Sequence, residues 1–359
     1  MILVFNIGSA SLRWCLYNKQ LEEVEGEDQE YPNFQKLEKQ IQKIIQHLIS
    51  NNYTLSKIGH RVVHGGVYFN QPTKIDNNSI EKLKELNSLA PLHNPQALKV
   101  IKVCQDKLPQ TPQLAVFDTS FFTQMPDYAR YYSLPMELAE KHKIYRYGFH
   151  GISHEYVAQQ GARKIGQKLE NLKLITVHLG AGASITAIED GKPIDTSMGF
   201  TPTSGLIMAT RSGNIDPIIP LFLEETGIPR REVKAILNKQ SGLKGVSGFT
   251  NDMRDILKVS QSKEKEEEPE RKKRAGLALQ MYAYKIKKYI GAYAVALSGV
   301  DALILTGAVA EGSQLVCNMI THGLKEVLGT FETLVIPTNE ELAIAKKIKD
   351  AATQNSKHE

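Results

Sequence analysis

The chain opens on an unbroken apolar run, Ile2–Ile7, turns at Gly8-Ser9-Ala10-Ser11, and returns through a second apolar run, Leu12–Tyr17. That pattern predicts a strand, a tight small-residue turn and a second strand. The same arrangement recurs at Leu172–Leu179, Gly180-Ala181-Gly182-Ala183-Ser184 and Ile185–Glu189, followed by a hairpin turn at Asp190-Gly191. Two copies of one design, one in each half, predict a duplicated domain. Both turns set backbone N–H groups and hydroxyls at a bend of the kind that cradles phosphate. The second has G-x-G spacing, but a strand-like segment follows it, so the dinucleotide-binding reading fails on context. No G-x-x-x-x-G-K-[ST] run occurs, which excludes a P-loop protein.

Between the hairpins, helical spacing predicts helices over Phe34–Ser50, Asn78–Leu89, Pro229–Asn238 and Ala275–Leu297, with others starting at Glu155 and about Asn339. Val300–Thr306 and Leu334-Val335-Ile336 read as strands. The alternation predicts an α/β protein. Lys258–Arg274 is a mixed charge run, expected to be a solvated helix face or an exposed loop. One long segment, Asp195–Pro217, has neither period. Its Phe, Met, Ile and Pro content argues against disorder. An ordered loop rich in Ser, Thr and Gly around the single Arg211 suits an anionic group. The residues alone leave open a packed connection whose arginine caps a helix.

Length and composition change the picture only at its edges. At 359 residues, two domains are the default. A hydrophobic fraction of 42% and a net charge of +5, interleaved along the chain, indicate an ordinary globular protein without a nucleic-acid footprint. Cys15, Cys104 and Cys317 are too far apart for a metal pattern and are expected as buried thiols in a reducing compartment. The N-terminus has no basic n-region and no apolar run reaches the length of a membrane span, so the expected location is cytoplasmic.

Eight motifs occur in order: Asn6-x-Gly8-Ser9-x-Ser11, His60–Gly66 (HRVVHGG), Leu89–Pro95 (LAPLHNP), Phe117–Phe121 (FDTSF), Arg146–His154 (RYGFHGISH), Asp195–Pro202 (DTSMGFTP), Thr210–Pro217 (TRSGNIDP) and Ile336–Leu342 (IPTNEEL). Together they resemble the acetate/propionate kinase family of the actin–hexokinase superfamily, over nearly the whole chain. The resemblance implies two duplicated actin-like (ribonuclease H-like) α/β domains with an interdomain active-site cleft that closes over substrate. Their expected limits are 1–147 with 342–359, and 148–341. It implies reversible transfer of a phosphoryl group between ATP/ADP and a short-chain carboxylate, acetate giving acetyl phosphate, with Mg2+ (or Mn2+). It also implies a homodimer formed through the second domain, with no nucleic-acid or membrane partner.

The resemblance carries roles onto particular residues. Arg61 and Arg211 match the active-site arginines, whose forks suit carboxylate and phosphate oxygens. His150 matches a histidine that stabilises the transferring group, and Asp118 a carboxylate that orients it or holds an arginine. The sequence alone leaves Asp118 open as a helix N-cap and Glu340 as a first-turn glutamate favoured by the helix dipole. By resemblance Asn6 and Glu340 belong to the metal site. Val63, Leu92, His93, Phe149 and Pro202 match the acceptor pocket, of types found in acetate-preferring members. Ser9, Ser11, Arg13, His178, Gly180, Ala181, Gly182, Ala308, Val309, Ala310 and Glu311 match the nucleotide and phosphate loops.

Three departures fall on the donor side. Ala181 replaces an Asn of the second loop, Ala10 a Ser of the first, and Ala308-Val309-Ala310-Glu311-Gly312 stands where the family reads G-I-G-E-N. An alanine where a backbone meets a ligand can block approach. The chain is also short after Tyr17 and between Leu328 and Leu334. Three alternatives follow: a propionate or other short-chain carboxylate kinase, a kinase with another donor such as pyrophosphate, and a non-catalytic ligand-binding relative.

Overall fold

Ile2–Ile7 forms β1, an apolar strand covered on both faces, which explains its unbroken apolar run. It pairs antiparallel with β2 (Ser11–Tyr17), which pairs antiparallel with β3 (Glu23–Glu30). On its other side β1 runs parallel to β4 (Lys57–Val62), and β4 parallel to β6 (Gln113–Phe117), with the short β5 (Thr73–Lys74) at the edge. The sheet order is β3-β2-β1-β4-β6-β5. These features come from a computed structural model that describes residues 1–8, 11–31, 33–91, 93–262 and 268–355. The sheet belongs to a first unit comprising Met1–Thr123, Phe149–Tyr156 and the segment from Asn339.

The second unit, Gln124–Gly148 with Val157–Thr338, repeats the plan. β7 (Lys173–Leu179), β8 (Ala183–Glu189) and β9 (Lys192–Thr196) form the antiparallel meander. β10 (Ala302–Thr306) and β11 (Glu332–Val335) add parallel strands, giving the order β11-β10-β7-β8-β9. Strands β7 to β11 thus match β1 to β4 and β6 in order and direction, and the duplication expected from the two hairpins is present in the topology. Asp190 (φ 52°) and Gly191 (φ 76°) make the tight turn into β9.

Helices cover both sheets. Phe34–Ser50 forms as the spacing predicts. Asn33 caps it, and Leu37, Ile41, Ile44, Ile45 and Leu48 form one buried stripe against Leu3, Phe5 and Leu16 of the sheet. The helix Glu340–Asn355 returns to the first unit and packs Ile344 and Ile348 against Val4 and Val116. Some boundaries differ from the sequence reading. The helix expected from Glu155 starts at Gly151, and the one expected from Ala275 starts at Pro269. The helix expected over Pro229–Asn238 runs Arg230–Ala235 and then widens into a π-helical turn, Ile236–Gln240. β3 has no counterpart in the sequence reading. Its residues, EVEGEDQE, are mostly exposed and acidic, which suits an edge that must not recruit another strand but erases the apolar signal.

All three cysteines are buried and free. The charge run splits into the end of the helix Met253–Gln261 and the start of Pro269–Ala296, its middle lying outside the described residues. Among the described residues no helix is long and apolar enough to cross a membrane.

Candidate active site

Parallel strands β1, β4 and β6 end side by side, and each carries a polar residue near its C-terminal end: Asn6, Arg61 and Asp118. Ligands of open α/β sheets gather at this edge. The helix Glu340–Asn355 adds Glu340 and Glu341 from its first turn, where the helix dipole favours acidic side chains. Asn339 starts that helix by accepting the Leu342 amide at 2.8 Å.

Arg61 is the hub. Its Nε reaches Asp118 Oδ1 at 3.1 Å and its Nη2 reaches Oδ2 at 2.7 Å, a bidentate fork. Its Nη1 donates to Asn6 Oδ1 at 2.9 Å and lies 3.1 Å from Glu340 Oε2. Asn6 turns its amide nitrogen to Glu340 Oε2 at 3.0 Å and to Glu341 Oε1 at 2.6 Å. Arg13, half-exposed on β2, stands 3.4 Å from Glu341. Asp118 and Glu341 are buried, at 1% and 2% exposure, so removing any partner would strand a charge in a dry place.

Three carboxylates face two guanidinium groups here, and the imbalance shows in the ionisation. Burial, with the nearby Glu340 charge, pushes Asp118 up to about 6 despite Arg61. Burial also raises Glu341. Burial opposes the charge on Arg61, but Asp118 and Glu340 outweigh it and hold the guanidinium firmly protonated. An excess of hard oxygen donors fits Mg2+, which takes one or two protein carboxylates and fills its shell with substrate oxygens and water. Among the described residues no group of three His, Cys, Asp or Glu side chains could hold a metal unaided.

His150 meets Asp118 through the backbone: its amide donates to the Asp118 side chain. Its φ of 57° is left-handed, which costs a non-glycine residue on the order of 1 kcal/mol. Such strain persists where the surroundings enforce it. The enforcing contact is next door. The Gly151 amide donates to the Asp118 carbonyl at 3.1 Å, and a Cβ on Gly151 would lie 2.2 Å from that oxygen. Val63 and Phe149 are both buried, and the Phe149 ring packs edge-on against His64 at 5.4 Å. His93 occupies the N-cap position of the helix Asn94–Lys107 and makes no side-chain cap bond. His60 and His64 are core residues, each held neutral by burial at about 4. Ser9 and Leu92 lie outside the described residues, as does Ala10.

In the second unit the non-periodic segment is an ordered loop, without helix or strand from Ser197 to Pro217. Arg211 is not a helix cap. It donates from Nη1 to the Pro202 carbonyl at 3.2 Å, and it forms no ion pair among the described residues. Burial lowers its pKa. A partly buried guanidinium with no carboxylate partner among the described residues suits an incoming anion.

The same unit holds a cavity of about 600 Å³. Gly180 and Ala181 line it from the β7–β8 turn, Ala209 from the Arg211 loop, and Ala308, Val309 and Gly312 from the turn after β10. Asn251, Asp252 and Arg254 line its far wall, a stretch to which the sequence reading gave no role. The clue was there in the polar run Thr250–Asp255 of GFTNDMRD. Asp252 caps its helix and grips Arg254 in a fork, Oδ2 to Nη2 at 2.6 Å. Of the other donor-side candidates, Ala310 is buried and Glu311 accepts the Gly307 amide at 2.9 Å. Gly182 accepts the Gly180 amide at 2.9 Å, and His178 sits in β7 opposite Ser184. Ser11 begins β2, its carbonyl accepting the Gly8 amide at 2.7 Å. Glu341 and the buried Asn94, whose side chain holds the His64 amide and carbonyl at 3.1 and 2.9 Å, were likewise missed.

Known proteins are similar to this chain over most of its length. Residues 1–331 match the model of the Acetokinase family. The acetate kinase of Caldanaerobacter subterraneus subsp. tengcongensis is 48% identical over 83% of this chain and 78% of its own length. That of Alkaliphilus metalliredigens is 42% identical over 97% of this chain and 99% of its own. Among solved structures, Porphyromonas gingivalis acetate kinase superposes with a TM-score of 0.82 at 33% identity, covering 96% of this chain and 98% of its own. A propionate kinase from Francisella tularensis superposes with a TM-score of 0.88 at 35% identity and the same coverage. The chain belongs to the Acetokinase family.

Proposed function

We propose that this protein is an acetate kinase that transfers a phosphoryl group directly and reversibly between ATP and acetate. The observation that carries the reading is the Arg61 fork on Asp118, with Asn6 and Glu340 on its remaining nitrogen. Arg61, its charge already matched by Asp118 and Glu340, orients the acetate carboxylate by hydrogen bonding, and Val63, Leu92, Phe149 and Pro202 are assigned to the methyl group. A branched Val63 favours acetate over a longer acid, by about 1–3 kcal/mol per methylene at most. His93 supports that pocket. Asp118 acts as a positioning residue that fixes the plane of the Arg61 guanidinium.

In the forward direction an acetate oxygen attacks the γ-phosphorus as the bond to the ADP oxygen breaks. Charge on the moving group must be neutralised more strongly in the transition state than before it. Arg211 and His150 are assigned to that task. Glu340 and Asn6 would hold Mg2+, which would supply charge neutralisation on the phosphate oxygens. The donor lies in the cavity bounded by Gly180, Ala181, Ala308 and Val309, with Ser9, Ser11 and Arg13 serving the phosphates. We also place a homodimer contact on the helix Ile218–Glu225 of the second domain, which buries none of its residues and leaves Ile218 and Phe222 62% and 58% exposed. The buried free thiols suit the cytoplasm.

The test is trapping of acyl phosphate by hydroxylamine with acetate and propionate, and with ATP, GTP and pyrophosphate compared as donors. Acetyl phosphate from ATP, lost by a factor of about a hundred or more in Arg211→Ala, is the expected result. Product from pyrophosphate alone would refute the ATP assignment, and no product at all would refute the kinase. On the donor side, a side chain at Gly312 would meet nothing within 4 Å. The double variant Ala181→Asn/Gly312→Asn therefore lowers the KM for ATP about fivefold or more through restored hydrogen bonds, as read by steady-state kinetics. The third expectation concerns pH. Asp118 titrates above the ordinary carboxylate range, so it takes up a proton as pH falls through about 6 and releases its grip on Arg61. kcat/KM for acetate falls below that pH. Glu340→Gln, which removes a like charge beside Asp118, moves the acid limb of the profile to lower pH.

A further inference from the structure

The loop that carries Arg211 has no secondary structure of its own, yet Met208, Ala209, Thr210 and Ser212 on either side of the arginine are all tied to one neighbour. The neighbour is the π-helical turn Ile236–Gln240 with the short helix Gly242–Ser247 after it. The Ser212 amide donates to the Leu237 carbonyl at 3.0 Å, and Thr210 Oγ1 donates to the Asn238 carbonyl at 2.9 Å. The Ser241 amide returns to the Thr210 carbonyl at 3.0 Å. The Leu243 and Lys244 amides take the Met208 and Ala209 carbonyls at 2.8 and 3.0 Å. Arg211 is thus bracketed on both sides.

A π-helical turn is uncommon and tends to mark a functional site. Here the Leu237 and Asn238 carbonyls, inside the widened turn, accept hydrogen bonds from the loop. Gly242 completes the fit: at φ 63°, a Cβ there would lie 2.1 Å from the Met208 carbonyl oxygen and 2.7 Å from that of Arg211. The side chain of Asn238 reaches further. Its Oδ1 accepts Thr203 Oγ1 at 2.6 Å, while its Nδ2 is anchored on the Lys234 carbonyl at 2.9 Å. Thr203 adjoins Pro202, whose carbonyl takes Arg211 Nη1. Asn238 therefore joins the two stretches that fix the guanidinium, the one bearing its backbone and the one bearing its hydrogen-bond acceptor.

We propose that Asn238 is a positioning residue for phosphoryl transfer, aiming Arg211 through Thr203 and Thr210; the inference rests on the kinase reading of Arg211. A misplaced charge near the reacting group lowers turnover more than substrate binding. The experiment measures kcat and both KM values for the full-length protein and for Asn238→Ala, Thr203→Val and Thr203→Ser, with thermal unfolding recorded for each. It then repeats Asn238→Ala in an Arg211→Lys background. The expected result is a loss of kcat of about ten- to a hundredfold for Asn238→Ala and Thr203→Val, with KM values near those of the unmodified protein. Thr203→Ser, which keeps the hydroxyl, retains activity. In the Arg211→Lys background the further loss from Asn238→Ala shrinks, because the two changes act on one group. Unchanged kcat in folded Asn238→Ala and Thr203→Val, or an equal loss in both backgrounds, would overturn the inference while leaving the kinase intact. An unmodified protein that makes no acyl phosphate from any donor would overturn the kinase reading and the inference with it.

Discussion

A guanidinium largely buried at the end of a parallel sheet must be matched by charge and by hydrogen-bond acceptors, and Arg61 draws its matches from three separate parts of the chain. Asn6 comes from β1, Asp118 from beyond β6, and Glu340 from the last helix. None can be supplied without the others' framework. The parallel register of β1, β4 and β6 brings the first two together, and the packing of Ile344 and Ile348 on that sheet brings the third. The packing that stabilises the first unit therefore also sets the geometry around Arg61. The surplus of carboxylates over guanidinium groups leaves the cluster short of positive charge, the condition under which a divalent cation and its bound phosphates bind well.

The second arginine is held by the opposite strategy. Arg211 has no carboxylate partner among the described residues and takes its direction from backbone bonds between an irregular loop and a π-helical turn. An arginine already paired to a carboxylate is electrostatically occupied, whereas an unpaired buried one keeps its attraction for an anion. One arginine is held by charge and the other by shape. The division fits their assigned roles, Arg61 toward a ground-state carboxylate and Arg211 toward charge that moves during transfer.

Much of this was legible in the residues. The unbroken apolar β1, the repeated strand–turn–strand unit and the stripe of Leu37, Ile41, Ile44, Ile45 and Leu48 announced themselves, because burial on both faces or on one stripe leaves a period in the sequence. The ordered motifs carried Arg61, Asp118, His150, Arg211 and Glu340 by resemblance, and the structure brings Arg61, Asp118, Glu340 and the backbone of His150 together. Strand β3 was invisible because an exposed acidic edge has no apolar alternation. Glu341 and Asn94 escaped because their roles lie in tertiary contacts, at 2.6 Å from Asn6 and 2.9 Å from the His64 carbonyl, that no local pattern encodes. Asn238 is the clearest case: its partner Thr203 is distant in sequence, and only the widened turn brings them to 2.6 Å.

The most direct test of the account is acetate kinetics of Arg61→Lys. A lysine keeps the positive charge but is a point donor, so it cannot fork onto Asp118 and reach Asn6 and Glu340 together. If the fork is what prepares the acceptor site, kcat/KM for acetate falls by about a hundredfold or more while the KM for ATP stays near that of the unmodified protein. Near-normal acetate kinetics in a folded Arg61→Lys protein would contradict the account, because charge alone, without the geometry of the cluster, would then suffice.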